Sequence, residues 1–169
     1  MKKLGQAYKF SDNISTDLII SGRYKFAIRN MKELAKHVME DADPHFFQKI
    51  KAKATFIVAG RNFGMGSSRE QAPWAIKEAK VLAVIAKNFA RIFYRNAINV
   101  GLPLVECDTD LISQGDQLEL NLEKNSLTNK TKDINIPILP LHPVMRNILK
   151  AGGLVKYFRK HKGGLKLET

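Results

Sequence analysis

The chain has 169 residues, 44% of them hydrophobic, which suits a single domain over residues 1–169 with a real core. It carries 28 Lys plus Arg against 16 Asp plus Glu, a net charge of +12, yet the basic residues are spread along the chain without an arginine-rich block, so composition favours an acidic protein or small anionic substrates over nucleic acid. The lone Cys107 excludes an internal disulfide and a self-contained zinc or iron–sulfur site; no run of about 18 apolar residues exists and Met1-Lys-Lys leads into no apolar signal core, so a cytoplasmic protein with no membrane span is expected.

Residues 1–10 read as a first strand that closes at Ser11-Asp12-Asn13, a cluster that favours turns through side-chain to backbone hydrogen bonds. An acidic loop, Asp12-Asn-Ile-Ser-Thr-Asp17, then meets a basic glycine loop, Ser21-Gly-Arg23-Tyr24, across Leu18-Ile-Ile20. Taken singly, Asp12 and Asp17 need do no more than cap turns, and Arg23 could equally be a surface side chain. Residues 30 or 31 to 39 have helical periodicity, with Met31, Leu34, Ala35 and Val38 on one face, and Asp43-Pro44 sets a second start anchored by Phe46, Phe47 and Ile50. His37 and His45 lack partners at ligand spacing and read as surface or packing residues. Mild basic clusters fall at Lys49, Lys51 and Lys53 and in the tail at Lys156, Arg159, Lys160 and Lys162, beyond which the end is expected to fray from His161.

The run Ala54–Ala59 is continuously apolar, as expected of a strand covered on both faces. It feeds the glycine-rich stretch AGRNFGMGSSREQAPW (residues 59–74), then a helix through Ala79 and a second buried strand over Val81–Ala86: a βαβ unit with a parallel pair. Asn88 is placed to cap the next helix, whose Phe89, Ile92, Phe93 and Ala97 form an apolar stripe; Gly101 ends it, and Pro103 marks the start of a strand or an edge. From Asp108 to Pro140 the pattern alternates, with Leu118 and Leu120, then Ile134, Ile136 and Ile138, and turns near Gly115-Asp116 and Glu123–Ser126: a small antiparallel β layer. His142-Pro143 opens a helix, Gly152-Gly153 breaks it, and Leu154 starts a last one.

The stretch 59–74 concentrates the chemistry. Glycines admit backbone N–H groups close to an anion, a helix N-terminus adds partial positive charge, and Arg69 adds a full one. Three familiar chemistries fail on detail. A phosphate loop counted from Gly60 needs Gly at 65 and Lys at 66, where Met65 and Gly66 stand; a dinucleotide fingerprint from Gly64 needs Gly at 69, where Arg69 stands; and a nucleophile elbow needs a glycine where Glu70 stands. What remains is a serine pair at a helix entrance. Ser67 with Glu70, or Ser68 with Gln71, can write a capping box, and the same serines can react if dipoles and Arg69 stabilise an alkoxide; Pro73 either opens the helix or kinks it.

GRNFGMGSSREQAPWA, preceded by Asp12–Asp17 and Gly22-Arg-Tyr24 and followed by Phe89-Ala-Arg-Ile-Phe-Tyr-Arg-Asn96 and Gly101-Leu-Pro103, resembles the small subunit of 3-isopropylmalate dehydratase and its homoaconitase-type relatives. The resemblance implies the swivelling β/β/α domain of aconitases, an α/β fold with a mixed sheet core and flanking helices. It also implies a hydro-lyase subunit, inactive alone, that closes over a [4Fe–4S] cluster carried by a large partner subunit and not ligated by this chain. The expected substrate is a hydroxy-di- or tricarboxylate, by default isopropylmalate in leucine biosynthesis, with homocitrate-type or methyl-substituted malates as alternatives. By the motif match Ser67 is the base and Asp17 orients catalytic groups; Ser68 and Arg69 bind a substrate carboxylate, Arg23 is a further substrate ligand, and Glu70 caps the helix. Tyr24, Lys25, Phe26 and Ala27 form the substrate-specificity loop, where Lys25 departs from the usual leucine; Phe26 and Ile28 could wall an apolar pocket there. Gln71 replaces the usual histidine and, as a neutral amide, relays no proton. The competing class, a basic RNA-binding or regulatory module, rests on the net charge of +12.

Overall fold

The computed structural model describes residues 2–25, 27–51 and 54–161, with backbone alone at positions 25 and 51. Phe26, Lys53 and Lys162 lie outside the described residues, as do the side chains of Lys25 and Lys51 and the chain beyond His161.

The elements run β1 (Lys2–Lys9), α1 (Thr16–Ile19), α2 (Gly22–Lys25), α3 (Met31–Leu34), α4 (Phe46–Lys51), β2 (Thr55–Val58), α5 (Gln71–Glu78), β3 (Val84–Ala86), α6 (Arg91–Val100), β4 (Leu104–Glu106), β5 (Gln117–Asn121), β6 (Ser126–Asn129), β7 (Ile134–Ile136), α7 (Pro143–Ala151) and α8 (Leu154–Lys160). All seven strands form one mixed sheet in the order β4-β3-β2-β1-β5-β6-β7. β1 to β4 pair in parallel, and β1, β5, β6 and β7 pair antiparallel, so β1 is the seam between two kinds of sheet. The alternating segment is therefore a continuation of the main sheet and not a separate layer.

Side-chain periodicity explains the placement. In β2 and β3 both faces are buried. Ile57 and Val84 point into a core shared with α1, α3 and α5, while Phe56, Val58 and Ile85 point into one shared with α7, α8 and the antiparallel strands. A continuously apolar run is what such a strand requires. β5 buries only Leu118 and Leu120 and leaves its alternate positions half-exposed, which yields the alternation read in the sequence. Burying a side chain such as Phe46 or Phe56 completely contributes about 1.5–3 kcal/mol. Pro103 precedes β4, which is the edge strand of the parallel half, so both readings of that proline hold.

Three local expectations give way to tertiary packing. The helix over residues 31–39 tightens into a 310 turn at Ala35–His37 and leaves at an extended Val38, because this path buries Leu34, Ala35, Val38 and Met39 together. In α6 the inward face is Phe93, Ala97 and Ile98, while Ile92 is 43% exposed. Asn88 does not cap that helix: the N-cap position belongs to Ala90, and the Asn88 amide oxygen accepts the backbone N–H of Asn62 at 2.7 Å.

Candidate active site at the junction of two loops

The parallel pairing of β1 and β2 brings the segments after them, residues 11–17 and 60–70, side by side, and a run of hydrogen bonds joins the two. Asn13 N–H donates to Arg61 O (2.7 Å), Gly64 N–H to Ile14 O (2.7 Å), and Thr16 N–H to Met65 O (2.8 Å). The Asp12 carboxylate accepts from Arg61 N–H (2.7 Å), and the Asn62 amide donates to Asn13 Oδ1 (2.9 Å). Gly64 adopts φ +80° with its α-carbon against the Phe93 ring; a Cβ there would lie 2.2 Å from it. The glycine loop is thus a second layer laid on the first loop and on α6.

On this ladder Ser67 and Ser68 are exposed, and among the described residues their hydroxyls make no hydrogen bond. The Ser67 carbonyl accepts from Thr16 Oγ1 (3.0 Å) and from Arg69 N–H (2.8 Å). Arg69 folds inward, its side chain 14% exposed; its Nη1 forms an ion pair with Asp17 Oδ1 (2.6 Å) and donates to Ile20 O (3.1 Å). Its Nε is buried and makes no hydrogen bond among the described residues, and no bond from Nη2 is found there either. Nε and Nη2 form one edge of the guanidinium, the edge that grips a carboxylate with two parallel hydrogen bonds. A Cβ added at Gly22 would lie 3.8 Å from Nη2 and 3.9 Å from Asp17 Oδ1, so the absence of a side chain at position 22 leaves room beside that edge.

The capping readings do not hold. α5 begins at Gln71 with Glu70 at its N-cap position in helical geometry, and no side chain caps it. Neither serine writes a capping box, and Glu70 makes no capping bond. Pro73 takes the third helical position, where its missing N–H costs nothing. The N–H groups of Ala72 and Trp74 turn back onto Arg69 O (3.3 Å) and Glu70 O (3.4 Å), so these two donors are already used within the helix entrance.

Arg23 and Tyr24 are drawn elsewhere. Arg23 pairs with Asp41 and lies 3.8 Å from Glu40, while the Tyr24 hydroxyl donates to Glu40 (2.8 Å) and its ring stacks on His37 at 3.9 Å. The His37 ring nitrogen Nδ1 holds the other Glu40 oxygen. Burial pushes the Glu40 carboxyl up, but the hydrogen bonds from His37 and Tyr24 outweigh it and hold it below the usual range; the bond to Glu40 in turn raises the Tyr24 phenol. Ala27 is exposed, and Ile28 packs partly against the core. The residues that sequence reasoning left without a role are Thr16, Asn62, the Ile20 carbonyl and Glu40. Thr16 stood inside the acidic motif, between a helix-capping serine and Asp17; nothing local marked Glu40.

A larger cleft of about 650 Å³ opens at the ends of β3 and β4, lined by Arg61, Lys87, Glu106, Cys107, Asp110 and Leu139. Burial, with Asp108 nearby, pushes the Cys107 thiol up to about 12, so it is a poor nucleophile. Among the described residues no group of three or more His, Cys, Asp or Glu could hold a metal ion, and no helix is long and apolar enough to cross a membrane.

Residues 5–109 match the aconitase C-terminal domain family. Over 167 residues the chain is 60% identical to 3-isopropylmalate dehydratase small subunit 2 of Archaeoglobus fulgidus, covering 99% of this chain and 100% of that protein. It is 52% identical to the 3-isopropylmalate dehydratase small subunit of Halothermothrix orenii, covering 98% of this chain and 99% of that one. The fold superposes on the crystal structure of 3-isopropylmalate dehydratase (leuD) from Methanocaldococcus jannaschii with a TM-score of 0.91 at 48% identity, covering 96% of each chain. Two exposed serines and an inward-folded arginine on a loop laid across a Thr-Asp turn, in a fold and sequence this similar, leave one assignment: the chain belongs to the aconitase C-terminal domain family, among its 3-isopropylmalate dehydratase small subunits.

Proposed function

We propose that this chain is the small subunit of a 3-isopropylmalate dehydratase, a hydro-lyase that interconverts 2- and 3-isopropylmalate by dehydration and rehydration in leucine biosynthesis, and that it acts only with a large subunit. The observation that carries the site reading is the state of Arg69: Nη1 is committed to Asp17 and Ile20 O, and the Nε–Nη2 edge is uncommitted beside two exposed serines.

In this reading the Arg69 edge and the Ser68 hydroxyl take one carboxylate of the substrate. Asp17 fixes the guanidinium plane and partly offsets its charge, so the arginine orients its ligand without gripping it too tightly to release. Ser67 Oγ removes the proton from the carbon next to the carboxylate, the hydroxyl leaves from the neighbouring carbon, and a double bond forms. Water then adds back with hydroxyl and proton on exchanged carbons. A serine alkoxide is a strong base only where water is excluded, and closure of the large subunit over these exposed serines provides that exclusion. A [4Fe–4S] cluster held by the large subunit supplies Lewis-acid chemistry for the departing hydroxyl. Arg23 and Tyr24 follow Gly22 directly in sequence, and we assign substrate choice to the stretch of sequence from Tyr24 to Ala27.

The test is reconstitution with the large subunit under anaerobic conditions. Ser67→Ala is expected to reduce kcat by at least about 10²–10⁴-fold with assembly intact, the range for loss of a positioned base; turnover near the unsubstituted rate would remove Ser67 from the chemistry.

A further inference from the structure

Thr16 is 2% exposed and occupies the first position of α1, between Ser15, whose hydroxyl accepts the Leu18 N–H at 3.2 Å, and Asp17, which holds Arg69. It bonds the glycine loop twice. Its backbone N–H reaches Met65 O at 2.8 Å and its hydroxyl reaches Ser67 O at 3.0 Å. The two acceptors bracket Gly66, which sits at φ +96°, in a region that side chains avoid and where glycine turns most freely. A Cβ at Gly66 would meet Thr16 Oγ1 at 3.6 Å, so the hydroxyl also lies against the free side of that joint.

Without the second bond, Met65 would still be tied down but Ser67 would hang from a glycine. Rotation about Gly66 would swing the Ser67 side chain while leaving the ladder from Asn13 to Met65 intact. With it, the peptide that carries Ser67 is fixed from below by Thr16 and from ahead by Arg69 N–H. Resting on the reading of Ser67 as the base, we infer that Thr16 is a positioning residue: its hydroxyl locks the Gly66 joint and so sets where Ser67 Oγ stands. One dipeptide, Thr16-Asp17, then aims both working groups, the serine through its carbonyl and the arginine through its guanidinium.

The experiment uses the reconstituted two-subunit enzyme. Thr16→Val keeps the shape of the side chain and removes the donor, and because Ser67 is exposed, water can satisfy the carbonyl that is released. The expected result is a fall in kcat of about 10–100-fold, the scale of an ångström-size misplacement, with KM within about twofold, assembly and melting temperature unchanged, and kcat restored to within a few-fold by Thr16→Ser, which keeps the hydroxyl. Wild-type kcat in Thr16→Val, with Ser67→Ala inactive, overturns the inference and leaves the serine reading standing. Loss of assembly or of melting temperature in both Thr16 variants, or failure of the serine variant to restore kcat, assigns Thr16 to packing and also overturns it. Normal turnover in Ser67→Ala removes the base itself, and the inference falls with it.

Discussion

The two halves of the sheet solve different problems with the same number of neighbours. In the antiparallel half, consecutive strands pair through short turns, and the polar groups that must be buried close on each other locally. Asp116 accepts from Ser113 N–H (2.8 Å) and Asn129 Nδ2 (2.6 Å), with Lys132 3.4 Å away, all within 16 residues. In the parallel half each strand returns through a crossover, so the loops after β1 and β2 lie side by side although 49 to 52 residues separate Thr16, Asp17 and Ile20 from the residues they hold, and their serines are exposed and the Arg69 Nε is unpaired among the described residues. The local half completes its bonds; the crossover half keeps some in reserve. The proposed chemistry falls in the second, where parallel pairing sets two loops from distant parts of the sequence against each other.

The contrast predicts separable losses. The largest concerns Arg69→Lys: a lysine cannot hold Asp17 and the Ile20 carbonyl and still present a two-donor edge, so kcat/KM of the reconstituted enzyme should fall about 10²–10³-fold with little change in melting temperature, measured by steady-state kinetics and calorimetry. A fall below about fivefold would break the contrast. In the other half, Asp116→Ala strands a buried amide and should cost about 2–4 kcal/mol, some 4–16 °C in melting temperature, while turnover per folded molecule stays at the wild-type value.

Acid should act through both halves. Burial pushes the Asp43 carboxyl up, but bonds from Lys49, Tyr8 and the His45 N–H outweigh it and hold it at about 2; Asp116 is lowered on the same balance, with the Ser113 N–H, Asn129 and Lys132 outweighing burial. Carboxylates depressed in the folded state stabilise it above their unfolded pKa near 3.9, and that stability is lost as pH falls from there toward the folded value. Melting temperature should therefore drop between about pH 4 and 2, and less steeply in Asp43→Asn. A smaller effect attends Glu40→Gln, which weakens the tether of Tyr24 and should change the ranking of kcat/KM among 2- and 3-hydroxy acids by a few-fold; an unchanged ranking would remove that turn from substrate choice. Least of all, Cys107 should stay unmodified by iodoacetamide at pH 8 in the folded protein, since its thiol titrates at about 12.

How far the sequence could be read follows the same division. Strands buried on both faces announce themselves, as Thr55–Val58 and Val84–Ala86 did, and so does the alternation of Leu118 and Leu120. The motif residues 67–69 and 17 stood out by type and order. Their contacts did not, because a capping box and an Asn88 cap are local readings, whereas the real partners of Ser67, Arg69 and Asn88 come from other loops. Nor could spacing reveal that Arg23 turns to Asp41 and Tyr24 to Glu40, since residues 37–41 approach them only after the segment breaks into a 310 turn.

The ladder between residues 11–17 and 60–67 also bears on time and entropy. An exposed glycine-rich loop ordinarily exchanges its amide hydrogens quickly and loses much freedom when a partner closes on it. Here the amides of Asn13, Thr16 and Gly64 are bonded to backbone carbonyls of the facing loop and should exchange slowly although none of them is paired within a strand or helix of its own. A loop already ordered in the isolated subunit gives up little when a partner closes on it, so binding free energy goes into closure and not into freezing the glycine loop.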